Sequence, residues 1–419
     1  MKTIYVYLDW IEEPIAKLQL AQQRRKESVF IEVTERGIDF LNSIASSIDP
    51  DIQAVQGPQF TTKNLFGMLE DSSPDRWGRS LMKRRHEREC KTAGEAMRTL
   101  LASDFLIGVN DPFRQGALRF KLDQAGPFVD NHEISEVPSE VNLRELLSAA
   151  QRFENDEIDL SDDEYDWLKC LIAPGSSLGG ARPKASILNN QQLMIAKFPS
   201  TKDEWDTGLW EFIVNQLAKD CGLNVPPCKV IKVGSAHHTF ITERFDRNPD
   251  GSRVHFCSAM TMLGKTDGDG ASTGVSYLDL ARAVSSESID PLADLHELWK
   301  RLVFHLLVSN TDDHLRNHGF LFDRNAGGWR LSPAYDINPN PMGSGLALNI
   351  TENDNDLDLE LAVKVAKFFR IRSEAEARKI VVMMAIKIRA WKDLASKLKV
   401  PQSEIKNLAP AFELAEEIQ

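Results

Sequence analysis

The sequence is short of the features that mark several large protein classes. It has five cysteines in 419 residues (Cys90, Cys170, Cys221, Cys228 and Cys257), an odd number with no C-x-x-C pair. That spacing argues against a disulfide framework, a zinc ribbon or a dithiol redox centre, and fits reduced, structural thiols. No window approaches the ~18 consecutive apolar residues of a membrane-spanning helix. The first segment meets Asp9, Glu12 and Glu13 before a signal-peptide core can develop, so a cytoplasmic protein without membrane insertion is expected. Positive charge is also in deficit: 50 Lys and Arg against 62 Asp and Glu leave a net charge of -12. This balance disfavours broad, nonspecific binding to polyphosphate, although a local basic patch can still touch DNA. No Walker P-loop of the form G-x-x-x-x-G-K-[ST], no internal repeat and no low-complexity tract is found.

What remains is the composition of an ordinary globular protein, 42% hydrophobic and 27% charged. The length suits two or three domains. Apolar and polar residues alternate around Ile4, Val6 and Leu8 and again around Val29, Ile31 and Val33, which predicts small antiparallel strands. A helix is predicted within SSPDRWGRSLMKRRHER, with Ser72 or Ser73 as cap, Pro74 in the first turn and Asp75 complementing the positive helix end. Its basic face from Arg76 to Arg88 is either a solvated surface or a docking face. Residues 123–138 have the Gly, Pro and carboxylate content of a linker, and beyond Ser258 the apolar spacing becomes helical. The expected division is a strand-rich N-terminal domain (1–125), a mixed α/β lobe (126–257) and a helical lobe (258–419).

The segment APGSSLGGARPKASILNNQQLMIAKFP reads as turn, glycine-rich loop, strand, hairpin turn and strand. Gly175, Gly179 and Gly180 let backbone amides approach a phosphate, though such a stretch also serves as a plain turn. Lys197 stands in the apolar run that follows, where an ammonium needs a buried anion. In a kinase that anion is the nucleotide phosphate. Glu211, in the next predicted helix, either orients Lys197 or lies on the surface. Two further strands end at Glu243-Arg244-Phe245-Asp246, where an adenine-binding hinge belongs. In SNTDDHLRN, Asp312 and Asn317 are five apart, the D-x-x-x-x-N spacing of a kinase catalytic loop; Asp313 would be only four away. A solvated turn is the plainer alternative. Asp336, in WRLSPAYDINPNP, stands where kinases place a second metal-binding residue.

These elements resemble the HipA family of bacterial toxin kinases, through SSLGGARPKA, Lys197 in IAKFP, ITERFDR, NTDDHLRNHGF and LSPAYDINP, with fainter likeness in LEDSSPDRWGR and GALRF. The resemblance implies an α+β fold: a two-lobed protein-kinase-like core behind a small strand-rich N-terminal domain, with a helical C-terminal lobe. It implies transfer of the ATP γ-phosphate to a protein serine with Mg²⁺ as cofactor. Asp312 would be the catalytic base, His314 the catalytic-loop histidine, and Asn317 and Asp336 the metal ligands. Lys197 and the loop from Ser177 and Leu178 to Gly179 and Gly180 would hold the ATP phosphates, and Glu243, Phe245 and Asp246 the adenine and ribose. Ser177 would be the autophosphorylation site, with Ser176 competing. The implied partners are a protein substrate, with aminoacyl-tRNA synthetases among the family's targets, and a HipB-like helix-turn-helix antitoxin through which DNA is reached. A small-molecule or lipid kinase, or a nucleotide-binding scaffold or corepressor, is the alternative.

Overall fold

The computed structural model describes residues 2–23, 26–129, 138–155, 171 and 182–418. The N-terminal part is a five-stranded antiparallel sheet of order β4-β3-β2-β1-β5, formed by β1 (Lys2–Leu8), β2 (Ala16–Gln23), β3 (Lys26–Val33), β4 (Pro58–Phe60) and β5 (Leu118–Lys121). The period-two pattern has its expected cause, since Ile4, Val6, Leu18 and Ile31 are fully buried on one face.

The basic helix spans Arg76–Ala93 and ends at Gly94 in the left-handed conformation, φ 67°. Its cap differs from expectation. Asp75 is the N-cap, accepting from Gly78 N at 2.8 Å, while the Ser72 and Ser73 hydroxyls donate to Met68 and Leu69 carbonyls of a short preceding helix, Gly67–Asp71. The serines finish one helix, so the first residue free to cap the next is the aspartate. Within the expected linker, Phe128 bridges back to Lys121; residues 130–137 lie outside the described range.

A four-stranded sheet of order β6-β7-β9-β8 follows, from β6 (Lys184–Asn189), β7 (Gln192–Lys197), β8 (Cys228–Ile231) and β9 (Thr239–Glu243). The β6–β7 turn has Asn190 and Gln191 at φ 47° and 69°, the two positive values of a tight type I′ hairpin. The helix Thr207–Asp220 packs on this sheet. Its Trp210 is fully buried against Trp391 and Phe412, with ring centroids 6.1 and 6.3 Å away, which ties the helix to the C-terminal helices.

Beyond Ser258 the chain is mainly helical, around the buried helix Pro291–Leu307, with Asp290 as cap and Pro291 in the first turn. A three-stranded sheet of β10 (Phe256–Ser258), β11 (Gly319–Asp323) and β12 (Gly328–Leu331) sits within this part. One apolar core joins the N-terminal sheet to the helical lobe, including Ile4, Phe120, Leu302 and Trp391.

Candidate active site

A cleft enclosing about 560 Å³ of space open to solvent lies at the four-stranded sheet, lined among others by Ile195, Lys197, Phe240, Phe245, Tyr335 and Asp336. Lys197 is the last residue of β7, and its ammonium lies 2.5 Å from Glu211 Oε1 and 2.6 Å from Asp336 Oδ1. Asp336 has φ 57°, a left-handed value for a non-glycine residue. Burial works against the charge on Lys197, but the two carboxylates outweigh it and hold the lysine above its ordinary pKa. Burial likewise pushes Glu211 up, against the pull of Lys197, whereas for Asp336 the lysine overcomes burial and keeps the carboxyl below its usual range. One ammonium is thus shared by two carboxyl groups, Asp336 held toward its ionised form and Glu211 pushed toward its neutral one.

The strand end at Glu243 leads into the cleft wall. Phe245 packs on Tyr335 and Phe256, with centroids 5.4 and 6.2 Å away. The Glu243 side chain accepts from Gln192 Nε2 at 2.9 Å. Asp246 is buried in a network, taking Arg244 Nε and Nη2 at 2.9 and 2.7 Å, Arg247 Nη1 at 2.9 Å and Gly116 N at 2.8 Å. Burial opposes its charge, yet Arg244 and Arg247 hold the carboxyl far below its ordinary value. A ribose hydroxyl here would compete with these donors for the same oxygens. The network joins the segment after β9 to the N-terminal part of the chain, because Arg244 also donates to Phe113 O at 2.7 Å. Gly116 is required at this junction: its φ is 69°, and a Cβ would stand 3.0 Å from Phe256 N.

The D-x-x-x-x-N segment forms a compact loop ending in a short 3-10 turn, Leu315–Asn317. The Asp312 carbonyl accepts from His314 N at 2.9 Å and from Asn317 Nδ2 at 2.9 Å. The Asp312 carboxylate is exposed; partial burial and the nearby Asp336 and Asp313 raise its pKa, with His314 opposing. Among the described residues, neither Asn317 Oδ1 nor His314 Nδ1, both buried, has a hydrogen-bond partner. An orphaned amide oxygen on the loop and the Asp336 carboxylate are the hard oxygen donors that Mg²⁺ takes, so the residues present fit that ion.

Lys197, Asp336 and Glu211 are thus brought together, and Asp312, His314 and Asn317 share one loop within electrostatic reach of Asp336. Ser177, Leu178, Gly179 and Gly180 lie outside the described residues. Gln115 and Tyr335 line the cleft but were given no role from the sequence: a glutamine before a glycine and a tyrosine beside Asp336 point to nothing by themselves until the fold assembles them.

An antiparallel sheet whose strand-end lysine pairs with a glutamate of the adjoining helix, set beside a helical lobe that supplies a D-x-x-x-x-N loop, is the two-lobed kinase-like fold. The chain belongs to the HipA-like C-terminal domain family, whose model matches residues 176–392. The fold aligns over 99% of this chain and 96% of the other with a chain from the Shewanella oneidensis MR-1 toxin–antitoxin complex of HipA, HipB and operator DNA, at a TM-score of 0.67 and 18% identity. A Haemophilus influenzae protein named "Putative kinase" is 27% identical over 208 residues, 45% of this chain and 60% of the relative. "Putative kinase Y4mE" of Sinorhizobium fredii is 30% identical over 152 residues, 34% of this chain and 33% of the relative. The matched part therefore spans less than two thirds of each of these relatives. Among the described residues no helix is long and apolar enough to cross a membrane.

Proposed function

We propose that the protein is an ATP- and Mg²⁺-dependent kinase that transfers the γ-phosphate to a serine or threonine of a protein and modifies its own Ser177. The observation carrying this is the Lys197 ammonium, buried in the cleft between Glu211 and Asp336. A lysine so placed can hold nucleotide phosphates while the glutamate fixes its direction. Asp312 takes the proton of the attacking hydroxyl as its oxygen bonds to the γ-phosphorus and ADP leaves. Its raised pKa suits a base working nearer neutrality than an ordinary aspartate. Asn317 Oδ1 and Asp336 would hold Mg²⁺, which when bound neutralises charge building on the phosphates. The likeness to the Shewanella fold supports a HipB-like helix-turn-helix partner, through which DNA would be reached.

The test is incubation with γ-labelled ATP and Mg²⁺, alone and with cell lysate, followed by phosphosite mapping. Label on serine or threonine of protein is the expected result. Label confined to lipids or small molecules would replace the reading with a different kinase class, and no label at all would refute it.

A further inference from the structure

The adjacent Asp312 and Asp313 are chemically identical and sit in opposite environments. Asp312 is exposed, while Asp313 is 1% exposed beneath the loop. A single oxygen of Asp313, Oδ2, meets three groups from three places in the fold: His305 Nδ1 at 2.8 Å, from the last turn of the helix Pro291–Leu307; His318 Nε2 at 2.9 Å, just before β11; and the hydroxyl of Tyr277, which opens the helix Tyr277–Glu287. All three partners are fully or almost fully buried. An ionised carboxylate can only accept, so each imidazole presents a ring N–H to it and the tyrosine donates its O–H. The opposite ring nitrogens, His305 Nε2 and His318 Nδ1, are buried with no partner among the described residues. Two unsatisfied nitrogens are tolerated in order to aim both rings at one carboxylate, an arrangement that apolar packing would not require.

The same loop is fixed from its other side. Asn340 N donates to Ser309 O at 3.1 Å and Asn340 Nδ2 to Thr311 Oγ1 at 2.7 Å, and Ser309 has φ 47°. The chain around Asp312 is therefore anchored above by the segment carrying Asp336 and below by Asp313.

We infer that Asp313, with His305, His318 and Tyr277, forms a buried anchor that sets the position of the Asp312 carboxylate for phosphoryl transfer, making Asp313 a positioning residue. The inference rests on the kinase reading above. Burial opposes charge on Asp313, but the two histidines hold it ionised, in keeping with a permanent anchor. Asp313 is buried and does not line the cleft, so its loss should act on the rate of transfer and spare nucleotide affinity. Misplacing a catalytic group by about 1 Å can cost about 10²-fold in rate.

The test uses Asp313→Asn, which keeps the shape but replaces a charged acceptor, and Tyr277→Phe, which removes one donor and leaves the carboxylate and both histidines. Single-turnover phosphoryl transfer at saturating Mg²⁺-ATP, ATP affinity by calorimetry and thermal midpoint are measured on each. The expected result is a fall in rate of about 10- to 100-fold for Asp313→Asn, a smaller fall for Tyr277→Phe, and ATP affinity within about twofold for both. Should Asp313→Asn not fold, Tyr277→Phe decides alone. Wild-type rates in the folded variants, or a thermal midpoint that drops while the rate constant holds, overturn the inference and leave the kinase reading intact. A wild-type protein with no transfer at all removes both.

Discussion

Lys197 and Asp336 stand 139 positions apart in the chain and meet at 2.6 Å, with Glu211 on the other side of the same ammonium. The pairing brings the sheet and the helical lobe together at the cleft and sets two carboxyl groups around one buried cation. Lys197→Met should therefore do two separable things. It should abolish ATP binding, and it should destabilise the protein by about 3–5 kcal/mol, because two buried carboxylates lose their counter-ion. Adding Glu211→Gln should restore most of the stability and none of the ATP binding. Denaturant unfolding and nucleotide titration of the single and double variants check this; recovery of ATP binding in the double variant would remove Lys197 from the phosphate site.

Asp312→Ala should reduce phosphate transfer by about 10²- to 10⁴-fold, the usual worth of a general base, while sparing much of the ATP affinity. The exposed carboxylate makes few structural contacts, so the thermal midpoint should hold. A variant that labels protein at the normal rate refutes the assignment.

Asp336→Asn should weaken nucleotide binding chiefly when Mg²⁺ is present, since a neutral amide cannot balance a divalent ion as a carboxylate does. Calorimetric titrations with and without Mg²⁺ separate this from simple loss of the Lys197 ion pair, which would weaken both titrations alike.

Much of this site was legible in the sequence because its signals are local. A lysine closing the apolar run Leu193 to Ala196 is an anomaly on its face, and the hairpin that presents it follows from Asn190-Gln191 between two such runs. The five-residue step from Asp312 to Asn317 needs no fold to be seen. What stayed hidden depends on tertiary neighbours. Asp313 reads as half of a solvated pair until His305 and Tyr277 arrive from two helices, and Asp246 reads as a ligand contact until Gly116 N reaches it from the N-terminal domain. The cap at Asp75 was missed for a related reason, since the short helix that engages Ser72 and Ser73 carries too little periodicity to be noticed.

On the proposed reading, phosphorylation of Ser177 disables ATP binding, so Ser177→Ala should prevent this self-inactivation while leaving the transfer residues in place. A phosphate at this serine adds about -1.5 to -2 charges beside Gly179 and Gly180, whose amides are proposed to face nucleotide phosphates. The modified form should bind ATP poorly, and Ser177→Asp should mimic it only in part. Phosphosite mass spectrometry with nucleotide titration of the separated forms decides; equal affinity in both forms removes the regulatory claim.

His255 gives the protein an acid limit remote from catalysis. Its imidazole is buried against Trp329, ring centroids 5.6 Å apart, and neither ring nitrogen has a partner among the described residues. Burial lowers its pKa from 6.5 to about 4. Because the folded value lies below the unfolded one, the unfolded state binds the proton first. The neutral ring's contribution is fully present above about pH 6.5 and is lost as the pH falls to about 4. A gap of about 2.5 at about 1.4 kcal/mol each makes this loss about 3 to 4 kcal/mol. His255→Phe keeps an aromatic ring against Trp329 and cannot take up a proton, so it should flatten the decline in thermal midpoint between pH 6.5 and 4 relative to the wild type. Parallel midpoint-against-pH curves for the two proteins would show that His255 is not the group responsible.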